Sequence, residues 1–496
     1  LGIGQYLYSG LFIIYDQLPG ECMKKSNFKY RSNLFILLCF FVLVGIGSNA
    51  TADTISSPDG KGYRFEKDGW TYLHIEGAPY ERGFQHGYLM APEIAEVQDT
   101  IRYLTYHDTG MEWDYFLHAA NEMFPSHIDE EFLTEMKGIA EGAQEAGTNV
   151  SFEEILGWNA YKELTGYWWP TVKSEAYKKM EIETDSCSAF IATGDFTEHG
   201  DIVLGHNTWT AFERAHFFDL LADVQPEDGN RIFMQTAPGL LDSSTDYLVT
   251  SAGLMIAETT INSFNQYKAN MSPAFYRLRN AAQYADNLDE FVSIMNTNRS
   301  GGFANSWLVG DAKTGEIMRF EQGLKFFNVT KTDNGYFAGA NSAEDPRIRN
   351  LECSSLDPTD IRTGVSARMV RIPQLIEQFK GKISTETGKK ILSDEYDVWL
   401  QKENPSTRTV NGVYWLDSNP YPNRPPFKPM GAYDGKVMDS EMAKNMSIEA
   451  RWGSPSGRVF DADTFLSEHP QYGYLKGYLK SFPTHSWNVF HAGEKE

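Results

Sequence analysis

The stretch from Asp185 to Trp209, DSCSAFIATGDFTEHGDIVLGHNTW, sets the tightest limit on what this chain can become. Cys187 stands just before an apolar run of β type, Ser188 to Thr193. A turn-rich segment, Gly194 to Asp201, follows, and a second apolar run, Ile202 to Gly205, comes back. That pattern predicts strand, turn and strand, with a cysteine at the leading edge. If the peptide bond between Ser186 and Cys187 were cut, Cys187 would be a chain terminus carrying a thiol and an α-amine on one residue. A free thiol has a pKa of about 8.5 and an α-amine one of about 7.7–8.0, so the amine can take the thiol proton near neutral pH without a histidine. The same position also fits a buried structural cysteine that opens a strand, because unpaired cysteine is among the most buried residue types.

The beginning of the chain has the pattern of an export signal. Residues 1–22 show no clear order and read as an upstream extension. Met23-Lys24-Lys25 then starts a basic region, Leu34 to Gly47 is apolar, and Ala50-Thr51-Ala52 supplies the small residues of a cleavage site. Residues 23–52 are therefore expected to be a signal peptide cut between Ala52 and Asp53, giving a secreted, periplasmic or lumenal protein. A single membrane anchor is the competing reading, but about fourteen apolar residues fall short of the roughly twenty a spanning helix requires, so no stable anchor is expected. Cys39 lies in the apolar run behind a leucine, which disfavours a lipid-anchored cysteine.

Only Cys187 and Cys353 remain after such a cut, so the protein does not lean on disulfides. The net charge of −23 and the lack of any basic stripe exclude a nucleic-acid partner. Acidity of this kind serves solubility. No zinc spacing, phosphate loop or dinucleotide glycine pattern occurs, and no cofactor is expected. Sequons at Asn149, Asn270, Asn298, Asn328 and Asn445 matter only in a host that glycosylates exported proteins.

From Tyr80 to about Thr105 the apolar spacing predicts a helix, in which Gly83 and Gly87 would let another backbone come close. His86, between them, reads as a satisfied buried histidine or as a proton carrier. Ile128 to Gly147 predicts a second helix, acidic in its first turn and closed by glycine. Ser151 and Glu154 form the capping box of a third. Residues 53–186 thus read as mainly helical. Tyr167 to Asp185, with a lysine-bearing run of no clear period, reads as a loop: an ordinary connector, or the reachable peptide that a cut before Cys187 needs. Beyond it the chain turns β-rich, with strands expected at Arg231–Thr236, Tyr247–Thr250, Gly253–Ile261, Ser306–Gly310, Ile317–Glu321 and Tyr336–Ala340. Lys313-Thr314-Gly315 marks a hairpin turn. Helical patterns cover Pro273–Ala285, Leu288–Met295 and, despite Pro373, a stretch between Val365 and Phe379. Asn419 to Pro429, with five prolines, cannot be a regular helix or central strand.

The SCSAF and GHNTW steps, SAGLMIAETTI at Ser251–Ile261 and FANSWLVGD at Phe303–Asp311 together resemble the phospholipase B-like proteins. GAPYERGFQHG at Gly77–Gly87 and AYDGKVMDSEMAKNMSIEARWGSPSGR at Ala432–Arg458 extend the likeness over nearly all the chain beyond residue 65. That family resembles a branch of the N-terminal-nucleophile cysteine hydrolases related to penicillin acyltransferase and choloylglycine hydrolase. The resemblance implies an α+β fold, a four-layer αββα sandwich, with residues 53–186 as a helical N-terminal chain or propeptide and 187–496 as the catalytic chain. It implies self-cleavage between Ser186 and Cys187 and makes Cys187 the nucleophile. Asn305 would be the oxyanion donor, and Arg368 a late arginine of the site, although Arg371 lies close enough to confuse the assignment. For either arginine a place on an exposed helix face is the alternative. His206 and Asn207 end the strand that pairs with the Cys187 strand, so the hairpin brings them near. Where the choloylglycine group carries arginine and aspartate, this chain has His206 and Thr208, which leaves open the group that orients the thiol.

The reading that follows is an exported, self-processing hydrolase of acyl ester or amide bonds, acting through an acyl-enzyme on Cys187. Its substrate would be an acylated small molecule or, as the family implies, a phospholipid. The alternatives are an N-acyl amide hydrolase or acyltransferase of the penicillin acyltransferase type, and a non-catalytic binding protein that keeps the fold. A papain-type enzyme does not fit, because the signature around Cys187 differs.

Overall fold

The computed structural model describes residues 54–173, 186–354, 357–421 and 425–495, with only the backbone of residue 186. The expected extension and signal peptide, the position of Cys39, and most of the loop entering Cys187 (174–185) lie outside the described residues.

The chain is a mixed α and β protein with several sheets. In the first sheet ten strands follow one another in space: Ile55–Ser56, Tyr63–Lys67, Trp70–Gly77, Leu220–Pro226, Ile232–Thr236, Tyr247–Thr250, Leu254–Thr260, Asn305–Asp311, Ile317–Gln322 and Phe327–Thr332. Trp70–Gly77 and Leu220–Pro226 run parallel, and every other neighbouring pair is antiparallel. The second sheet orders Gly335–Gly339, Ser186–Thr193, Val203–Ala211, Asp434–Asp439, Ser447–Trp452 and Asn488–His491, with Met430–Ala432 also paired to Val203–Ala211.

Side-chain alternation along the Cys187 strand fixes which way each residue looks. Ala189 and Ile191, with Leu204 across the hairpin, join a core containing Ile256, Leu308 and Val309 of the first sheet. Phe190, Ala192 and Val203 face the other way, onto Ile372, Leu375 and Ile376 of the helix Gly364–Gln378 and Ile391 of Thr385–Leu392. The strand is therefore buried on both sides, which is why it reads as a nearly unbroken apolar run. On the first sheet, Phe291 of the helix Leu288–Asn296 meets Trp307 edge to face, centroids 5.8 Å apart.

The strands expected between residues 231 and 340 are all present within two residues of the expected ends, as are the helices Ala274–Tyr284, Leu288–Asn296 and Gly364–Gln378. The region before Cys187 is mainly helical and also donates a hairpin, Tyr63–Lys67 and Trp70–Gly77, to the first sheet. The single helix expected from Tyr80 is two, Pro79–Leu89 and Ala91–Thr109, divided at Met90. Pro92 accounts for the break: it has no N–H to donate, and its ring would press on the carbonyl of Tyr88 if the helix continued. Tyr167 to Val172 is helical rather than a loop: Tyr167 and Trp168 end a π turn over Leu164–Trp168, and the helix Trp169–Val172 follows it. The capping box is formed: Ser151 Oγ accepts from Glu154 N–H at 3.2 Å, and Glu154 Oε2 from Ser151 N–H at 2.9 Å.

His86 is a satisfied interior histidine. Its Nε2 accepts from the backbone N–H of Gly239 at 2.9 Å, which requires that nitrogen to be unprotonated. Burial holds its pKa down at about 4 against an ordinary 6.5. Between those values the unfolded chain binds a proton that the folded chain excludes, so stability rises with pH across the window. Acidifying from about pH 6.5 to about pH 4 is expected to remove up to about 3 kcal/mol through this group. Urea unfolding of the wild type and of His86→Asn at both pH values checks this: the variant should lose part of that dependence.

Candidate active site

The hairpin Ser186–Thr193 and Val203–Ala211 sets Cys187 opposite Thr208 and Ala189 opposite His206. Residues paired across an antiparallel ladder share a face, so the thiol, Thr208 and His206 all look toward the first sheet. Asn207 looks the other way. Its Oδ1 accepts from Ser188 N–H at 3.0 Å and Trp209 Nε1–H at 2.8 Å, and its Nδ2 donates to the Val410 carbonyl at 3.1 Å. The hairpin thus brings Asn207 close in sequence register while its amide braces the backbone behind the cysteine.

The backbone of Cys187 is gripped at both ends. Its N–H donates to Asn341 Oδ1 at 3.0 Å, and its carbonyl accepts from Arg368 Nη1. Arg368 is buried; it also donates through Nη2 to Asn341 Oδ1 at 2.8 Å and through Nη1 to Ser188 Oγ at 3.2 Å, and its guanidinium lies 4.2 Å from the centroid of Trp209. Arg371, three residues on, instead makes a two-pronged ion pair with Asp394, so of the two arginines Arg368 is the one that touches Cys187. Asn341 stands just past the strand Gly335–Gly339 in the left-handed region, φ 65°, which turns its amide back on the cysteine. Its Nδ2 donates to the Thr260 carbonyl at 2.9 Å, tying the second sheet to the first. Sequence reasoning passed over Asn341. A polar residue directly after a strand in GANSAED, of a type that tolerates positive φ, is the signal that was there.

Asn305 begins the strand Asn305–Asp311, paired with Thr260. With its amide turned so that nitrogen donates, Nδ2 reaches Glu258 Oε2 at 3.0 Å and the Ala304 carbonyl at 2.9 Å. Glu258 is buried beside it, takes the Thr260 hydroxyl at 3.3 Å, and adjoins Asp246. Burial, and next the Asp246 carboxyl, push Glu258 well above the usual carboxylate range.

The thiol is 3% exposed. Burial raises its pKa well above that of a free cysteine, and the nearby Glu258 adds to this; the Trp209 backbone N–H, Lys162 and Lys436 work in the opposite direction. His206 is fully buried and stacks on Tyr247, with centroids 5.9 Å apart. Burial, reinforced by Lys436, depresses its pKa far below that of a free imidazole, so it stays neutral.

A cleft with Trp158, Tyr161, Lys162, Thr210, Thr260 and Phe303 in its wall adjoins these groups through Thr260, whose carbonyl holds Asn341; Cys187 itself does not line it. The π turn Leu164–Trp168 forms part of the same wall, a distortion that recurs at functional sites. Lys162 Nζ donates to the Ser244 carbonyl at 2.7 Å and lies 4.4 Å from the Phe303 ring centroid. No cluster of His, Cys, Asp and Glu able to hold a metal ion occurs among the described residues, and none of their helices is long and apolar enough to cross a membrane.

The family model for phospholipase B matches residues 64–410. An uncharacterized protein of Archaeoglobus fulgidus is 25% identical over 329 residues, which cover 63% of this chain and 54% of that protein. Phospholipase B of Crotalus adamanteus is 26% identical over 298 residues, covering 54% of this chain and 52% of that protein. The chain spans about half the length of the curated relatives it matches. Among solved structures, a variant of conjugated bile acid hydrolase from Clostridium perfringens aligns with a TM-score of 0.28 at 12% identity, over 55% of this chain and 83% of that one. The family match takes in well over half of the chain, and the Cys187 hairpin, Glu258, Asn341 and Arg368 all fall inside it: the chain belongs to the phospholipase B family.

Proposed function

We propose that this protein is an exported hydrolase of acyl ester or amide bonds, phospholipids being the substrate class that its family suggests, and that Cys187 is both its nucleophile and, after self-cleavage, its N-terminus. The two facing sheets with helices outside them are read as the four-layer αββα sandwich of the N-terminal-nucleophile hydrolases.

The observation that carries this reading is the grip on Cys187. A structural cysteine needs only apolar neighbours. Here a buried asparagine carbonyl holds the N–H that cleavage would turn into an α-amine, and a buried arginine holds the carbonyl. Asn341 Oδ1 is a hydrogen-bond acceptor already in place for that amine. It would aim the amine lone pair away from itself and leave it able to accept the thiol proton. The neutral, deeply buried His206 is a poor base by comparison, since protonating it would put an uncompensated charge next to Lys436.

A chemical test separates an amine base from a histidine base. Take processed enzyme, protect the thiol reversibly, acetylate the α-amine of Cys187 and release the thiol. Turnover of a fluorogenic acyl ester should fall by on the order of 10²–10⁴, the usual worth of a general base. Processed His206→Gln should keep substantial turnover. An acetylated enzyme that still works alongside a dead His206 variant would replace the terminal-amine account with a Cys–His pair, and an uncut chain in fully active material would refute self-processing.

A further inference from the structure

The thiol faces a buried cation that the mechanism above does not use. Lys436 lies on Asp434–Asp439, opposite His206, and so on the same face as Cys187 and Thr208. It is fully buried. Its ammonium donates to Thr208 Oγ1 at 2.6 Å, to Asp434 Oδ2 at 3.0 Å and to Gln235 Oε1, which accounts for all three protons. Asp434 is occupied in turn: Oδ1 takes the Thr208 N–H at 2.8 Å and Oδ2 takes Gln235 Nε2–H at 2.9 Å. Because Thr208 Oγ1 accepts from Lys436, its own hydrogen must point away from the ammonium; Thr208 is paired with Cys187 across the ladder, and no hydrogen bond joins the hydroxyl to the protonated thiol in this structure.

We propose that Lys436, acting through the Thr208 hydroxyl, is the positioning cation that stabilises the Cys187 sulfur as a thiolate once the thiol has given up its proton. The proposal rests on the reading of Cys187 as nucleophile. It answers which group orients the thiol when the cysteine-paired strand offers only His206 and Thr208 on that face: the positive charge comes from the next strand. A purely structural ion pair is a weak alternative, because a buried pair is commonly no more stable than apolar residues of the same size. The other charged or titratable groups facing Lys436 are Asp434, Asp246, His206 and Tyr247, and Glu258 and Lys162 also act on the thiol. In the reaction the thiol proton passes to the α-amine of Cys187, leaving thiolate and ammonium. The thiolate then bonds to the acyl carbon as the carbonyl π pair moves onto oxygen. When that intermediate collapses, the leaving oxygen or nitrogen takes the proton from the α-ammonium. Lys436 keeps its protons throughout.

The test is the pH dependence of iodoacetamide alkylation at Cys187 in processed protein, in a Cys353→Ser background so that one thiol of the catalytic chain reports. Lys436→Met and Thr208→Val are each expected to slow alkylation at pH 7 by about tenfold and to displace its midpoint to higher pH. Acyl-ester kcat should fall in parallel while KM moves little, and Thr208→Ser should restore most of the lost rate. Thr208→Val is nearly isosteric, so it decides the matter even if Lys436→Met fails to fold. If both variants, or Thr208→Val alone, alkylate at the wild-type rate with an unmoved midpoint, Lys436 is structural and the proposal is wrong. Wild-type protein that keeps full turnover after alkylation of Cys187 would remove the nucleophile itself, and the role of Lys436 with it; loss of turnover on alkylation together with unmoved variants overturns the Lys436 role alone.

Discussion

Cys187→Ala is expected to abolish acyl-ester turnover, by on the order of 10⁴-fold or more, and to leave the chain uncut before residue 187. One atom is responsible for both losses. On the proposed reading the sulfur attacks the carbonyl carbon of residue 186 in maturation and the substrate carbonyl in turnover, while the Thr208 hydroxyl on the same face is taken up by Lys436. The substitution should not perturb the fold. Cys187 sits at the second position of its strand, its backbone bonds to Asn341 and Arg368 do not involve the side chain, and truncating one buried sulfur costs roughly 1–2 kcal/mol at most. Gel analysis and intact mass of the purified variant read the cut, and circular dichroism reads the fold. A folded Cys187→Ala protein that is still cleaved before residue 187, or that still hydrolyses esters, would show that the sulfur does neither job.

Much of this arrangement is legible in the sequence, and the parts that are not have physical reasons. The hairpin at Cys187 is readable because both strands are buried on both faces and bounded by Gly194, Asp195, Gly200 and Asp201. The strand Phe327–Thr332 is not, because it lies at the edge of the first sheet with its side chains at least partly open to solvent, and Phe327 and Val329 are its only apolar residues. Trp70–Gly77 could have been found: Asp68-Gly69, both at positive φ, is a two-residue hairpin turn between alternating segments. The site divides along a similar line. Cys187 and Arg368 are nameable from local motifs. Asn341, Glu258 and Lys436 come to the thiol from three separate strands or strand ends, 71 to 249 residues later in the chain, and only the pairing of the sheets reveals them. Alternation also corrects a subtler point. Proximity along the GHNTW step says nothing about direction, and the pleat turns Asn207 behind the cysteine while Thr208 and His206 face it.

Gly87→Ala is expected to destabilise the protein by about 3 kcal/mol or more, although alanine is the better helix former by roughly 1 kcal/mol. The helices Pro79–Leu89 and Glu130–Glu145 cross backbone to backbone, each presenting two glycines four residues apart. A Cβ at Gly87 would lie 1.9 Å from the Ile139 carbonyl oxygen and 2.8 Å from the Ala143 nitrogen, and one at Gly83 would lie 2.1 Å from the Glu135 carbonyl oxygen. From the other side, Gly142 meets the Phe84 carbonyl oxygen at 2.1 Å. These neighbours are main-chain atoms that cannot rotate aside, so the helices must part. Parting them would loosen the Ile139 and Ala143 packing and the buried pairing of Arg82 with Glu135, held at 2.8 Å. The strain would also travel toward the cleft, because His86, next to Gly87, holds the N–H of Gly239, and the segment after it supplies Leu240, Asp242 and Ser244 to the cleft wall. Urea denaturation of Gly87→Ala is the measurement, with Gly473→Ala as the comparison, since a Cβ there meets nothing within 4 Å and should change stability by no more than about 0.5 kcal/mol. If Gly87→Ala unfolds at the wild-type midpoint, the two helices do not approach as closely as their glycines imply, and the coupling from that crossing to the cleft has no basis.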